Sequence, residues 1–171
     1  MAQNSILLSN LSYDPNKGQI TFGRSRYQMI RPEVIIDLQK AFEAEIGPER
    51  TAELMAAQSF EGGKRVISLL PNAAALAPAE QVELACIGLG ELGWGRFDML
   101  KVDLARKELY IEVHNSVFAE EYGPAESGVC HMIRGVLGGL ATSLFGENLT
   151  FAETKCLSAG DDRCRFAITA Q

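Results

Sequence analysis

The stretch FAETKCLSAGDDRCRF, residues 151–166, sets Glu153, Cys156 and Cys164 around a polar turn of Ser158, Ala159, Gly160, Asp161 and Asp162. This is the strongest constraint in the chain. Residues 150–157 and 164–169 read as two strands joined by that turn, and such a hairpin presents two thiols across its end at a separation that suits a metal ion. Glu153 and Cys156 are three positions apart, which on a regular strand points them to opposite faces. A bulge or an early strand end near Thr154–Lys155 is needed to bring them together. A closed tetrahedral site needs one more donor, and the sequence offers Cys130 and His131, or Cys86 and His114. The competing reading is that the thiols are core residues, because cysteine is among the most buried side chains. Three thiolates and a carboxylate around a dication leave a formal charge of about −2. Arg134, Lys155, Arg163 and Arg165 are close enough in sequence to offset it.

The chain has 171 residues, 47% of them hydrophobic and 22% charged, enough for one well-buried core and too few for two. The expectation is one domain over residues 1–171, with a helical N-terminal part (1–75) and a C-terminal part (76–171) that carries the cysteine constellation. Met1-Ala2-Gln3-Asn4-Ser5 lacks the basic and apolar regions of a secretory signal, and no apolar run is long enough to span a bilayer. A cytoplasmic location is expected, where the four cysteines stay reduced. A net charge of −6 argues against nucleic acid as a partner.

The periodicity predicts an α+β fold, with helices packed on an antiparallel sheet. Ile20 and Phe22 alternate as in a strand, and RYQMI continues extended. A helix begins near Pro32 with the apolar stripe Val34, Ile35, Leu38, Phe42 and Ile46, and Gly47-Pro48 stops it. A second runs from Glu49 into the 60s, with Gly62-Gly63 as a kink or break. Residues 71–78 form a connector, and Pro78 with Glu80 starts a third helix through Leu89. From Arg96 to Val113 the period is two, giving a hairpin that turns near Arg106-Lys107, with Val102 set on the other face from Phe97 and Met99 or shared between them. Pro124 opens a long helix ended by Gly146.

That helix carries Gly135, Gly138 and Gly139, each about 1 kcal/mol worse than alanine in a helix. Two explanations compete: a cavity between this helix and the hairpin, or close approach of another backbone. For the cavity, the hairpin offers Trp94, Phe97, Met99, Tyr110, Val113 and His114, with Phe118 just after it. GLGELG, Gly88 to Gly93, matches the dinucleotide fingerprint, but the residues after it alternate like a strand and supply no helix N-terminus for a pyrophosphate. His114 and His131 have no recognisable nucleophile or carboxylate partner in sequence, so catalysis is not expected.

ESGVCHMIRGVLGGLATSLFGENLTFAETKCLSAGDDRCRFAI resembles the C-terminal half of the 4-vinyl reductase domain family in its Cys, its small-residue helix, its Glu-x-x-Cys, its Gly-containing turn and its final Cys. YQMIRPEVIIDLQKAFEAEIGPERTAELMAAQSFEGGKR is similar to the helical N-terminal part of the effector-sensing domains of phenol- and toluene-responsive activators. The resemblance implies a structural zinc ion on Cys130, Glu153, Cys156 and Cys164, leaving Cys86 as a core thiol. It also implies a ligand-binding fold related to nitric oxide signalling and Golgi transport (TRAPP-type) domains, a small apolar or aromatic ligand, and a homodimer. Phenol sensors carry a tryptophan-rich strand at about IEVHNSVF, which this chain lacks, so phenol itself is not the expected ligand. With the chain ending at Gln171, no ATPase or DNA-binding module is expected. The function implied is a sensor, carrier or assembly factor. The alternatives are a reductase or accessory subunit acting on the 4-vinyl group of a tetrapyrrole in bacteriochlorophyll synthesis, and a tethering scaffold.

Overall fold

The computed structural model describes residues 5–70 and 72–171. Residues 1–4, from which the lack of a leader is read, and Pro71 of the connector lie outside the described residues. Three short strands, β1 (Ser12–Asp14), β2 (Gln19–Phe22) and β3 (Ser25–Tyr27), form a small antiparallel sheet. Three helices follow: α1 (Pro32–Ile46), α2 (Pro48–Leu69) and α3 (Pro78–Glu91). A hairpin of β4 (Arg96–Asp103) and β5 (Glu108–His114) leads to the short helix α4 (Val117–Tyr122) and to α5 (His131–Phe145). The strands β6 (Leu149–Lys155) and β7 (Cys164–Ala170) complete a second antiparallel sheet in the order β4-β5-β7-β6. The expected α+β class, antiparallel sheet against helices, is the fold observed.

The core lies between that sheet and the helices. Leu109, Ile111 and Val113 of β5 and Phe166 and Ile168 of β7 point inward, against Ile133, Leu137 and Leu140 of α5. Each such side chain contributes roughly 1.5–3 kcal/mol by leaving water. A bulge between Met99 and Lys101 corrects the expected phase of β4. Beyond it Val102 pairs with inward-facing Leu109, so it shares a face with Phe97 and Met99 while Leu100 and Leu104 are exposed. On the outer face Glu112 is buried between Arg163 (3.0 Å) and Arg165. The Arg165 guanidinium, joined by that of Arg163, holds its carboxyl below the usual range.

Three helix expectations need correction. The α1 boundaries match, but Val34, Leu38, Phe42 and Ile46 are 42–50% exposed, and the buried residues are Ile36 and Gln39. The apolar stripe faces outward because α1 meets the protein along a narrower line, where Gln39 donates to the Val129 carbonyl and to Glu43. Second, α2 runs through Gly62-Gly63 unbroken. Third, α5 starts at His131 rather than Pro124, and residues 124–130 form a loop beyond the separate helix α4.

The glycines of α2 and α5 have one physical explanation. A Cβ on Gly63 would lie 2.2 Å from the Val136 carbonyl oxygen, one on Gly135 2.2 Å from that of Ala56, and one on Gly139 2.1 Å from that of Phe60. The two helices thus touch backbone to backbone, closer than any larger residue permits. Gly138 lies under the Phe151 ring, 2.9 Å from where its Cβ would be. Close approach, rather than an open cavity, fills the space around these glycines.

The N-terminal segment lies across the end of α3. Glu91 accepts hydrogen bonds from the backbone of Ile6 (2.8 Å), Leu7 and Leu8 (3.1 Å). Against the burial that would raise it, these donors hold the Glu91 carboxyl below its ordinary value.

Gly139→Val is expected to destabilise the protein by at least about 1–3 kcal/mol through overpacking. Gly62→Ala, whose Cβ would meet nothing within 4 Å, should stabilise it by about 1 kcal/mol. Urea unfolding of the two variants beside the wild type measures both.

Candidate metal centre and the cavities around it

The turn after β6 is built by its own polar groups. Asp161 accepts from the Cys156 backbone N–H at 2.8 Å, and the Cys156 carbonyl accepts from Ala159 (3.0 Å) and Asp161 (3.1 Å). This fixes Cys156 opposite Cys164, the first residue of β7. The β6–β7 register shifts between Glu153 and Lys155, which is the bulge the spacing requires. Glu153 and Cys156 therefore face the same side.

Cys130 completes the cluster from the N-terminus of α5. Its Sγ lies 3.7 Å from Cys164 Sγ, and Cys164 Sγ lies 4.0 Å from Cys156 Sγ. One ligand atom from each of Cys130, Glu153, Cys156 and Cys164 falls within 4.8 Å of all the others. Sulfurs about 2.3 Å from a tetrahedral ion stand roughly 3.8 Å apart, so the thiols are spaced as metal ligands. Glu153 accepts from the Cys130 backbone N–H at 3.0 Å through Oε2, while Oε1 is buried without a hydrogen-bond partner. A cation between these four groups would satisfy that oxygen.

The protonation pattern matches a donor set waiting for positive charge. Burial, and then the adjacent Cys156, push the Glu153 carboxyl up to about 8. Cys156 is driven far down by the thiol of Cys130 and then that of Cys164, and Cys130 far up as their shared donor. Cys86 is buried well away from the cluster, and burial, helped by Glu83 and Asp98, raises its thiol to about 12. It is a core thiol, as expected.

Two contributors went unseen in sequence. Gly128 allows the carboxylate to approach: a Cβ there would sit 2.5 Å from Glu153 Oε2. Ser116, fully buried ahead of α4, places its hydroxyl 3.3 Å from Cys130 Sγ. The GVC triplet was the available signal for the first, whereas nothing in sequence linked Ser116 to Cys130. The expected charge compensation is largely absent. Arg163 and Arg165 serve Glu112, Lys155 lies beside Asp162, and Arg134 donates to the Ala52 carbonyl at 2.9 Å. Only Arg134 shares a cleft with Glu153. That cleft also holds His131, which burial, and then Arg134, lower to about 4, so its ring is neutral at pH 7.

The residues expected to line a ligand cavity are dispersed. Phe97 and Val113 belong to the core, and Met99 packs on its edge beside a cleft between α3 and β4. Tyr110 and His114 alternate with inward-facing Leu109, Ile111 and Val113, so they lie on the outer face. There Lys101 lies 6.0 Å above the Tyr110 ring, and His114 Nε2 is 3.1 Å from Asp98. Gly135 and Gly139 meet α2, and Gly138 meets Phe151. Trp94 and Phe118 stand apart: they pack edge to face at 5.1 Å and wall a separate apolar chamber of about 410 Å³ under the N-terminal segment. GLGELG forms the end of α3 and the turn into β4, not a helix start.

Residues 109–170, which span the whole Cys3Glu cluster, match the family model of the 4-vinyl reductase domain. This chain carries a 4-vinyl reductase domain. Similarity extends beyond it. The chain is 26% identical over 171 residues to the phenol regulator MopR of Acinetobacter guillouiae, covering 93% of this chain and 30% of that one. The phenol-responsive sensory domain of the transcription activator PoxR, solved with phenol, shares the fold at a TM-score of 0.82 and 21% identity, over 96% of this chain and 86% of that one. A trafficking protein particle complex subunit 3 from Naegleria fowleri, solved covalently bound to palmitic acid, aligns at a TM-score of 0.56 and 11% identity, over 82% of this chain and 95% of that one. The expected kinship with 4-vinyl reductase, sensor and TRAPP-type folds is therefore found. No described helix is long and apolar enough to cross a membrane.

Gly128→Val should displace the domain's Glu153 carboxylate from the Cys130 N–H and destabilise the fold by roughly 1–3 kcal/mol. Thermal unfolding tests the stability loss, and protection of the Cys130 amide from hydrogen exchange tests the displacement.

Proposed function

We propose that this chain is a sensor module for a small apolar or aromatic molecule, and that a structural zinc ion on Cys130, Glu153, Cys156 and Cys164 holds its 4-vinyl reductase domain together. What carries the functional reading is the extent of the likeness to a phenol regulator, which runs over nearly the whole chain. The chain spans only 30% of that relative's length, so output through further modules belongs to the relative. The apolar chamber beside Trp94 and Phe118 supplies room for such a ligand. Titration with uncharged aromatics tests the reading: a ligand that binds only the folded state at 100 times its Kd raises stability by about 2.7 kcal/mol. A panel of one- and two-ring compounds that leaves the unfolding midpoint unchanged refutes it.

Zinc is favoured over harder cations by three sulfur donors in a closed site. Such an ion cross-links the α5 N-terminus to the β6–β7 hairpin and performs no chemistry on a substrate. Elemental analysis is expected to find about one zinc per chain, and Cys164→Ala to lose both the metal and much of the stability. Zinc retained at full occupancy by a Cys130→Ala, Cys156→Ala double variant would show the ion to be elsewhere.

The outward stripe of α1 supports a homodimer. Val34, Leu38, Phe42 and Ile46 form an apolar ridge with exposed Met29 and Ile30 beside it. Light scattering at roughly 10–50 µM should give twice the chain mass. Leu38→Glu together with Phe42→Glu should give the monomer.

A further inference from the structure

We propose that the chamber beneath the N-terminal segment is the ligand site, that it takes an uncharged aromatic molecule of one or two rings, and that Glu91 holds its cover in place. The inference rests on the small-molecule reading above and fixes where, and for what chemistry, that reading applies. The chamber is assembled from distant parts of the chain, with Leu7, Ile20, Ile35, Trp94, Phe118 and Met132 among its walls. Its volume of about 410 Å³ suits a compact ligand. Small-molecule sites start near 300 Å³, and a cavity of about 150 Å³ already accepts benzene.

The wall chemistry excludes a charged occupant. Glu91 is the only charged side chain among the described residues lining the chamber, and both of its oxygens are engaged by backbone N–H groups. No cation lines the wall to receive an anion, and burying an unpaired charge is costly. The edge-to-face pair of Trp94 and Phe118 supplies the aromatic surface against which a ring packs. The alternative location, between the β4–β5 hairpin and α5, is occupied by fully buried Leu109, Ile111, Leu137 and Leu140.

The cover is the least anchored part of the fold. Of residues 5–30, only Leu7 and Phe22 are buried, so little apolar area ties this segment down. Three consecutive N–H groups converge on Glu91 instead. That clasp can open without disturbing the core between the helices and the four-stranded sheet.

The test uses Trp94, the only tryptophan in the sequence, as reporter. Bromobenzene is the probe: it is uncharged, and its heavy atom quenches tryptophan at contact. Calorimetry on the full chain should find saturable binding that parallels quenching of Trp94. Ile35→Phe and Met132→Phe, made separately to fill the chamber, should each raise the half-saturation concentration at least tenfold. Ala52→Phe in the Glu153 cleft and Ile87→Phe in the α3–β4 cleft should leave it unchanged. Glu91→Gln should speed release at least threefold in stopped flow, and an unchanged rate overturns the role of Glu91 as clasp. Saturable binding without quenching, or binding lost only in the Ala52 or Ile87 variant, overturns the location while the small-molecule reading stands. A half-saturation that rises with protein concentration means that a second copy fills the chamber, which overturns the site. No saturable binding of bromobenzene or naphthalene overturns both. Should a filling variant lose its native circular dichroism, the paired quenching and calorimetry of the wild type still decide.

Discussion

Contact between the backbones of α2 and α5 is the constraint on which the rest of the fold depends. Side chains normally keep helices 8–10 Å apart. Here Gly63, Gly135 and Gly139 remove them where the helices meet, and carbonyls of Ala56, Phe60 and Val136 stand where Cβ atoms would be. With α2 taking one side of α5 so closely, the opposite side, carrying Ile133, Leu137 and Leu140, is left for the sheet. The helix is thus buried almost all round. That position brings its N-terminus, and with it Cys130, to the end of the sheet where β6 and β7 turn.

The metal cluster depends on that position and on two local departures from regularity. The β6 bulge turns Glu153 to the side of Cys156, and the loop before α5 passes over the carboxylate at Gly128, where nothing larger fits. A regular strand and a helix continuing back to Pro124 would each have pulled the donors apart. The loop is therefore what the site requires, and its polar ends are tied down by Ala125 N–H to the Ser158 carbonyl and by Cys130 N–H to Glu153.

The elements with strong local signals were legible in the sequence. Pro32, Gly47-Pro48 and Pro78 mark helix ends by their own chemistry, and alternation marks the strands. The Cys3Glu grouping was legible because its spacing demands a bulge, a geometric condition that follows from the pleat alone. What escaped depends on partners distant in sequence. The stripe of α1 follows helical spacing, but spacing does not say whether a face meets the core or the outside. Gly135, Gly138 and Gly139 left cavity and close packing equally open until α2 was placed against them. Trp94 and Phe118 were rightly grouped as aromatic wall residues, yet the chamber they wall is closed by residues 5–30, whose weak patterning gave no sign of where they lie. The short helix α4 is too brief to show a period.

The small residues of α2 also bear on how the chain is made. Gly63 waits for Val136, which lies about 70 residues downstream. At roughly 5–20 residues per second, α2 has left the ribosome for several seconds before its partner exists. Most nascent helices spend such an interval with large apolar side chains uncovered. Along its waiting face this one presents Thr51, Ala56, Ser59 and Gly63, which offer little for a chaperone or a neighbouring chain to grip. A surface made for intimate contact in the finished protein is, for the same reason, a quiet one while the protein is unfinished.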